Sequence, residues 1–155
     1  MLLVMALQVL LFNQLQLYGL CRPYVYVLCL LMMPVTLPLT VDMLVGVALG
    51  LVMDIFCNSL GIHMAACVLV MFLRHRMLRN AVADFERLTG EVAIASVGLE
   101  VFIRYSAALI LIHHAVIFLL SAWGWAHLGW SLLQTLVSSV VTFLLVMLYC
   151  IVHDR

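Results

Sequence analysis

Between Tyr24 and Leu73 lie fifty residues in which the only formal charges are Asp42 and Asp54. A helix needs about 20 apolar residues to cross the hydrocarbon core of a bilayer, so this run exceeds one crossing and must fold back on itself twice. Composition agrees: the 155-residue chain is 68% hydrophobic and 9% charged, against about 25% charged residues in a soluble domain. The chain reads as an integral membrane protein.

Net charge is zero, and all seven basic residues are arginine. No polybasic surface is available for nucleic acid, so that class of partner is excluded. The opening MLLVMALQVLLFNQLQLYGL lacks a positive leader region and a small-residue cleavage site, and is expected to be a retained anchor. Cysteines 21, 29, 57, 67 and 150 form no C-x-x-C pair and read as small apolar fillers.

Breaks at GLCRP, PVTLPLT, CNSLG, the polar stretch from Arg74 to Gly98, and SAWGWAHLG leave six apolar segments. They run near Leu2 to Leu20, Tyr24 to Leu37, Val41 to Cys57, Ile62 to Leu73, Leu99 to Leu120 and Trp130 to Val152. The expected fold is therefore one all-α polytopic membrane domain over residues 1–155, a bundle of six transmembrane helices. The second and fourth segments are short, hence tilted, shielded or extended into the interface.

Arginine sets the expected orientation, because short arginine-rich loops stay cytoplasmic. RHRMLRNAVADFER holds four of the seven arginines, which places that loop and both termini inside and tryptophans 123, 125 and 130 at the outer interface. Within the loop at 74–98, Met77, Leu78, Ala81, Val82, Phe85 and Leu88 recur at three- and four-residue steps. Two readings stand: an amphipathic helix lying on the membrane face, or a solvated loop.

The polar residues inside the apolar segments carry the functional question. Asp42, Gly46, Gly50, Asp54 and Asn58 are each four apart, so a helix places them on one slowly rotating stripe. Small residues on such a face let a neighbouring backbone approach, and the polar groups supply interhelical hydrogen bonds. Asp54 should thus face protein, with Asn58 and His63 as partners. It is either structural glue or a ligand, ion or proton site. His113 and His114 sit on adjacent faces of the fifth segment, about 100° apart. Adjacent histidines do not readily share one metal, and no H-E-x-x-H spacing occurs, so neither a metal nor another cofactor is expected. Arg104 stands four residues after Glu100 and pairs with it in a positioning role. Ser131, Thr135, Ser139 and Thr142 share a face of the last segment, and Gln8, Asn13 and Gln16 share a broad arc of the first; both faces are expected to mark packing sides. No nucleophile elbow, phosphate-binding loop or paired carboxylates support an enzyme.

The stretch GLVMDIFCNSLGIHMAACVLVMFLRHR resembles the signature region of the MreD family of rod shape-determining membrane proteins. In that family a glycine-leucine helix ends in an aspartate, and a short turn leads through glycine to a small-residue helix. LQVLLFNQLQLYGLCRPYVY and RYSAALILIHHAVIFLL are similar to one branch of the same family. The resemblance implies a six-helix inner-membrane protein whose fold is similar to the substrate-binding subunits of energy-coupling-factor transporters. It also implies a direct partner, MreC, and through it MreB, a SEDS glycosyltransferase and a class B penicillin-binding transpeptidase. Asp54 and Gly61 match the family pattern; His63, His113 and His114 match the branch. A non-enzymatic scaffold controlling cell shape and lateral peptidoglycan synthesis is the first expectation, with membrane lipid its surroundings. A small-molecule, vitamin-like binding subunit of a transporter is the alternative, built around Asp54, Asn58, His63 and a histidine of the fifth segment.

Overall fold

The computed structural model describes residues 2–14, 19–82, 85, 88–122 and 127–153. Its elements are all helical. α1 (Leu2–Leu7) continues into a turn of π-helix at Gln8–Phe12, and the others are α2 (Val27–Leu31), α3 (Leu39–Cys57), α4 (Ile62–Ala81), α5 (Ile94–Val97), α6 (Leu99–Ser121) and α7 (Leu128–His153). Three of them, α3, α6 and α7, are long and apolar enough to cross a membrane, which makes this a membrane protein. Their bounds lie within a few residues of the third, fifth and sixth apolar segments.

Three segments differ from the sequence expectation. The first, expected over Leu2 to Leu20, is helical over Leu2–Phe12 and turns at Asn13, so it is too short to be a full crossing helix. The fourth does not stop at Leu73: α4 runs on through Ala81, and the chain turns extended only at Val82. Arg74, expected in a loop, is therefore a helical residue, and it is 1% exposed. Of the apolar residues read as either an amphipathic loop helix or a solvated loop, Met77, Leu78 and Ala81 belong to the end of α4 instead. The second segment is helical over only five residues, Val27–Leu31. Five residues span about 7.5 Å, and the rest of the segment is irregular chain. It is also the most buried part of the molecule, with Tyr26, Val27, Leu30 and Leu31 at 0% exposure.

α3 and α4 form an antiparallel hairpin closed by residues 58–61. Asn58 ends α3 in the left-handed region at φ 51° and Gly61 opens α4 at φ 84°. Asparagine and glycine are the residues that tolerate this conformation at a helix end. α4 packs against α3 and, on its other side, α6, which in turn packs on α7. Outward faces of these helices carry Leu44, Leu51, Ile55, Leu132, Leu136, Leu144 and Leu148, all exposed, as expected where the solvent is lipid.

Candidate functional site

An irregular segment buried among helices raises an accounting problem, because each unpaired backbone group in an apolar interior costs several kcal/mol. Side chains from four other elements settle it. Gln8 donates through Nε2 to the Pro23 carbonyl at 3.2 Å and accepts the Tyr26 N–H on Oε1 at 3.3 Å. Tyr105 on α6 donates its hydroxyl to the Leu31 carbonyl at 3.0 Å. Arg74 on α4 donates through Nη2 to the Met33 carbonyl. On the α7 side, Ser138 accepts the Arg22 N–H at 3.0 Å and Gln134 donates to the Gly19 carbonyl at 2.7 Å. The polar residues of the apolar helices thus serve, in large part, as hydrogen-bond partners for chain that makes no helix of its own.

Arg74 is the hub of the first cluster. Besides Met33, its Nη1 meets Asp42 Oδ2 at 2.8 Å and its Nε donates to the Tyr105 hydroxyl at 3.0 Å. The planar guanidinium presents all three donors in one fork, which an ammonium does not. Asp42 lies in the first turn of α3, where the helix dipole favours a negative charge.

Asp54 anchors the other end of the hairpin. Its Oδ1 accepts from the Ser59 hydroxyl at 2.6 Å and the His63 N–H at 3.0 Å, and its Oδ2 accepts the Met64 N–H at 2.9 Å. The carboxylate at the end of α3 therefore caps the start of α4, satisfying two of the orphan donors of that helix and sitting at its positive pole. The expected partners need correction on this point. His63 meets Asp54 through its backbone and not its imidazole, and Asn58 is exposed, contributing its left-handed backbone while Ser59 supplies the side-chain bond. Both oxygens of Asp54 face N–H donors, so Asp54→Asn turns one amide NH2 against an N–H. Such a stranded buried donor costs about 1–3 kcal/mol. We expect Asp54→Asn to lower thermal stability in detergent and Asp54→Leu to lower it further; an asparagine variant matching wild type would remove the capping role.

Between the two anchors, Gly46 and Gly50 face α4. A Cβ on Gly50 would stand 2.3 Å from Met64 Cα, and one on Gly46 would stand 3.1 Å from Met71 Cγ and 3.2 Å from the Cys67 carbonyl oxygen. The stripe of Asp42, Gly46, Gly50 and Asp54 is consequently one contact line along α4.

The His63 imidazole belongs to a third cluster that sequence spacing did not suggest. The Tyr26 hydroxyl lies 2.9 Å from His63 Nδ1, 2.8 Å from His113 Nε2 and 3.6 Å from Cys67 Sγ. A phenol has one proton, so it donates to one imidazole and accepts from the other. His113 Nδ1 has no partner among the described residues. Burying a bare lone pair costs less than burying an unpaired N–H, which places the His113 proton on Nε2, donating to Tyr26, while Tyr26 donates to His63. Tyr24 packs edge-on against the rings of His63 and His113, at centroid distances of 5.0 and 6.1 Å. His114 turns the other way, donating through Nδ1 to the Ile110 carbonyl at 2.9 Å and meeting Thr142 of α7 at 3.2 Å. Tyr26→Phe removes the shared hydroxyl and strands two ring nitrogens, at about 1–3 kcal/mol for each group left unpaired. The expected result is a clear loss of thermal stability; an unchanged melting temperature would show that the hydroxyl is not needed.

The remaining candidates lie elsewhere. Arg104 and Glu100 form their i,i+4 pair at 2.6 Å on the surface, 79% and 77% exposed, away from all three clusters. Ser131, Thr135, Ser139 and Thr142 are buried on α7, Thr135 bonding back to the Ser131 carbonyl at 2.8 Å. Gln16, Trp123, Trp125 and Arg155 lie outside the described residues; Trp130 is half exposed. Among the described residues no group of three or more histidine, cysteine or acidic side chains converges in a way that could hold a metal. Compared with family models, curated proteins and solved structures, the chain matches none of them.

Proposed function

We propose that this protein is a non-enzymatic scaffold of the bacterial cytoplasmic membrane, similar to MreD, that binds MreC and helps control lateral peptidoglycan synthesis and cell shape. MreB, a SEDS glycosyltransferase and a class B penicillin-binding transpeptidase would act in the same complex through MreC. The observation that carries the reading is how the buried polar groups are used. Tyr26, His63 and His113 bond to one another, Arg74 to Asp42, Tyr105 and backbone, and Asp54 to the start of α4. Five of the cavities among the described residues are lined by none of Tyr26, His63, His113 or Asp54; one of the most polar, about 230 Å³, is lined by Asn13, Gln14, Arg22 and Tyr24 instead. A carrier needs a cavity on which polar groups converge; a scaffold needs packed helices. Co-purification of the tagged protein in mild detergent tests this: MreC in stoichiometric yield supports the scaffold, and an ATPase module would support the carrier.

The proposed topology is a six-segment bundle in which the second segment crosses as short helix plus irregular chain. Such chain is tolerated at membrane depth when protein surrounds it and satisfies its backbone. Both termini and the end of α4 with its following loop would then be cytoplasmic. On a cysteine-free background, a cysteine at position 79 should resist an impermeant thiol reagent in intact spheroplasts and react after lysis. Labelling before lysis would reverse the orientation.

A further inference from the structure

One face of α4 changes character along its length. Met64, Ala65, Val68, Leu69 and Phe72 line, with Met43 and Val47 of α3, an open and almost wholly apolar groove of about 380 Å³. Phe72 also lines the next hollow, of about 360 Å³, whose other walls are Leu39, His75, Arg76, Arg79 and Asn80. The groove and the basic hollow thus meet at Phe72 and succeed one another along α4, following the three- and four-residue steps of a single helix face. From Ala65 to His75 is about 15 Å at 1.5 Å per residue, which is the hydrocarbon depth of one leaflet, half of about 30 Å.

The charges at the basic end are of a different kind from the others in the molecule. Arg74 is buried and paired with Asp42, and Arg104 is paired with Glu100. Arg76 and Arg79 form no ion pair with a carboxylate among the described residues, and both are exposed. Arg79 also lies 5.8 Å from the Phe85 ring centroid and lines a neighbouring cavity with it. Two unpaired arginines at the end of a leaflet-deep apolar groove match the two halves of an anionic phospholipid.

We propose that this groove is a binding site for an anionic glycerophospholipid, its phosphate held by Arg76, Arg79 and His75 and one acyl chain lying along Phe72, Leu69, Val68 and Met64. Arginine suits the phosphate because its fork donates two bonds to two oxygens. The apolar length suits the chain and gives a free phosphate ion nothing.

The test uses the full chain in nanodiscs and in detergent. With the Phe72→Trp variant in nanodiscs doped with brominated-chain lipid, the indole quenching in excess of that from the three native tryptophans of the wild type should be several-fold stronger for phosphatidylglycerol than for phosphatidylcholine, and Arg76→Gln with Arg79→Gln should abolish the difference. In a second measurement, phosphatidylglycerol added to delipidated wild-type protein should raise the melting temperature more than phosphatidylcholine or inorganic phosphate does, and the arginine variants should lose that rise. Equal quenching by the two lipids, or a preference that survives loss of both arginines, would overturn the site. So would stabilisation by inorganic phosphate equal to that by the lipid, which marks a plain anion site. A groove occupied by a second copy or a partner helix would show as quenching insensitive to lipid headgroup, and equally overturns the proposal.

Discussion

Arg74→Leu should leave no stable folded protein in the membrane. The substitution strands the Asp42 carboxylate, which is 0% exposed, and takes the donor from the Met33 carbonyl and one partner from the Tyr105 hydroxyl. Breaking a buried ion pair by removing one partner costs about 3–5 kcal/mol. A folded domain is stable by only about 5–15 kcal/mol, so this one change removes a large share of the total. Arg74→Lys should fail nearly as badly, since a single ammonium does not reach three acceptors set around a planar fork. The double variant Arg74→Met with Asp42→Leu should recover part of the loss, because no charge is then buried alone, but not all of it, because the Met33 carbonyl stays unpaired. Membrane yield and thermal unfolding in detergent read all four proteins. A leucine variant that accumulates and melts like wild type would show that the ion pair holds nothing together.

Gly50→Ala is the second large effect. Its Cβ would approach Met64 Cα to 2.3 Å and Met64 N to 2.7 Å, and backbone atoms cannot turn aside as a side-chain tip can. The hairpin must separate there, and separation pulls the Met64 N–H away from Asp54, whose bond at 2.9 Å depends on the same close approach. Overpacking in a tight core costs about 1–3 kcal/mol, and the lost cap adds about 1 kcal/mol more. Gly46→Ala should be milder, because its nearest obstacles, Met71 Cγ at 3.1 Å and the Cys67 carbonyl oxygen at 3.2 Å, stand farther off and need give by only a few tenths of an ångström. Val45→Leu, at a half-buried position one residue off the stripe, is the control and should stay close to wild type. Leucine at either glycine should abolish folding. If Gly50→Ala, Gly46→Ala and Val45→Leu give equal yields and melting temperatures, the close packing of α3 on α4 is not what holds the hairpin.

Much of this arrangement was legible in the residues because it is local. The steps of four from Asp42 to Asp54 fix one helix face whatever the helix later meets, and two glycines on it announce a close neighbour. The left-handed turn at Asn58 and Gly61 follows from residue types that tolerate positive φ. The adjacency of His113 and His114 requires opposite partners, and they have them in Tyr26 and Thr142. Three long apolar segments became α3, α6 and α7 within a few residues, since each is a predominantly apolar run close to the length of a membrane crossing.

What tertiary structure decided is where each polar group finds its partner. Asp42 and Arg74 are 32 residues apart, and nothing in either local sequence shows that a hairpin will bring them together. By sequence alone an arginine at the end of an apolar run belongs in water; in the folded chain it is buried, because an acid and a bare carbonyl wait for it. Likewise Tyr26 reads as one apolar residue among many, and only the folded bundle sets His63 and His113 against its hydroxyl. The short second segment could not be read as irregular chain, because an apolar interior forbids unpaired backbone and its hydrogen-bond partners are Gln8, which accepts, and Tyr105 and Arg74, which donate, on three other elements. The sequence by itself determined that the chain lives in a membrane, that α3, α6 and α7 are long, and that the stripe from Asp42 to Asp54 turns inward. The pairing across those faces was left to the fold, because hydrogen bonds in a medium without water are satisfied by whatever the packing brings within reach.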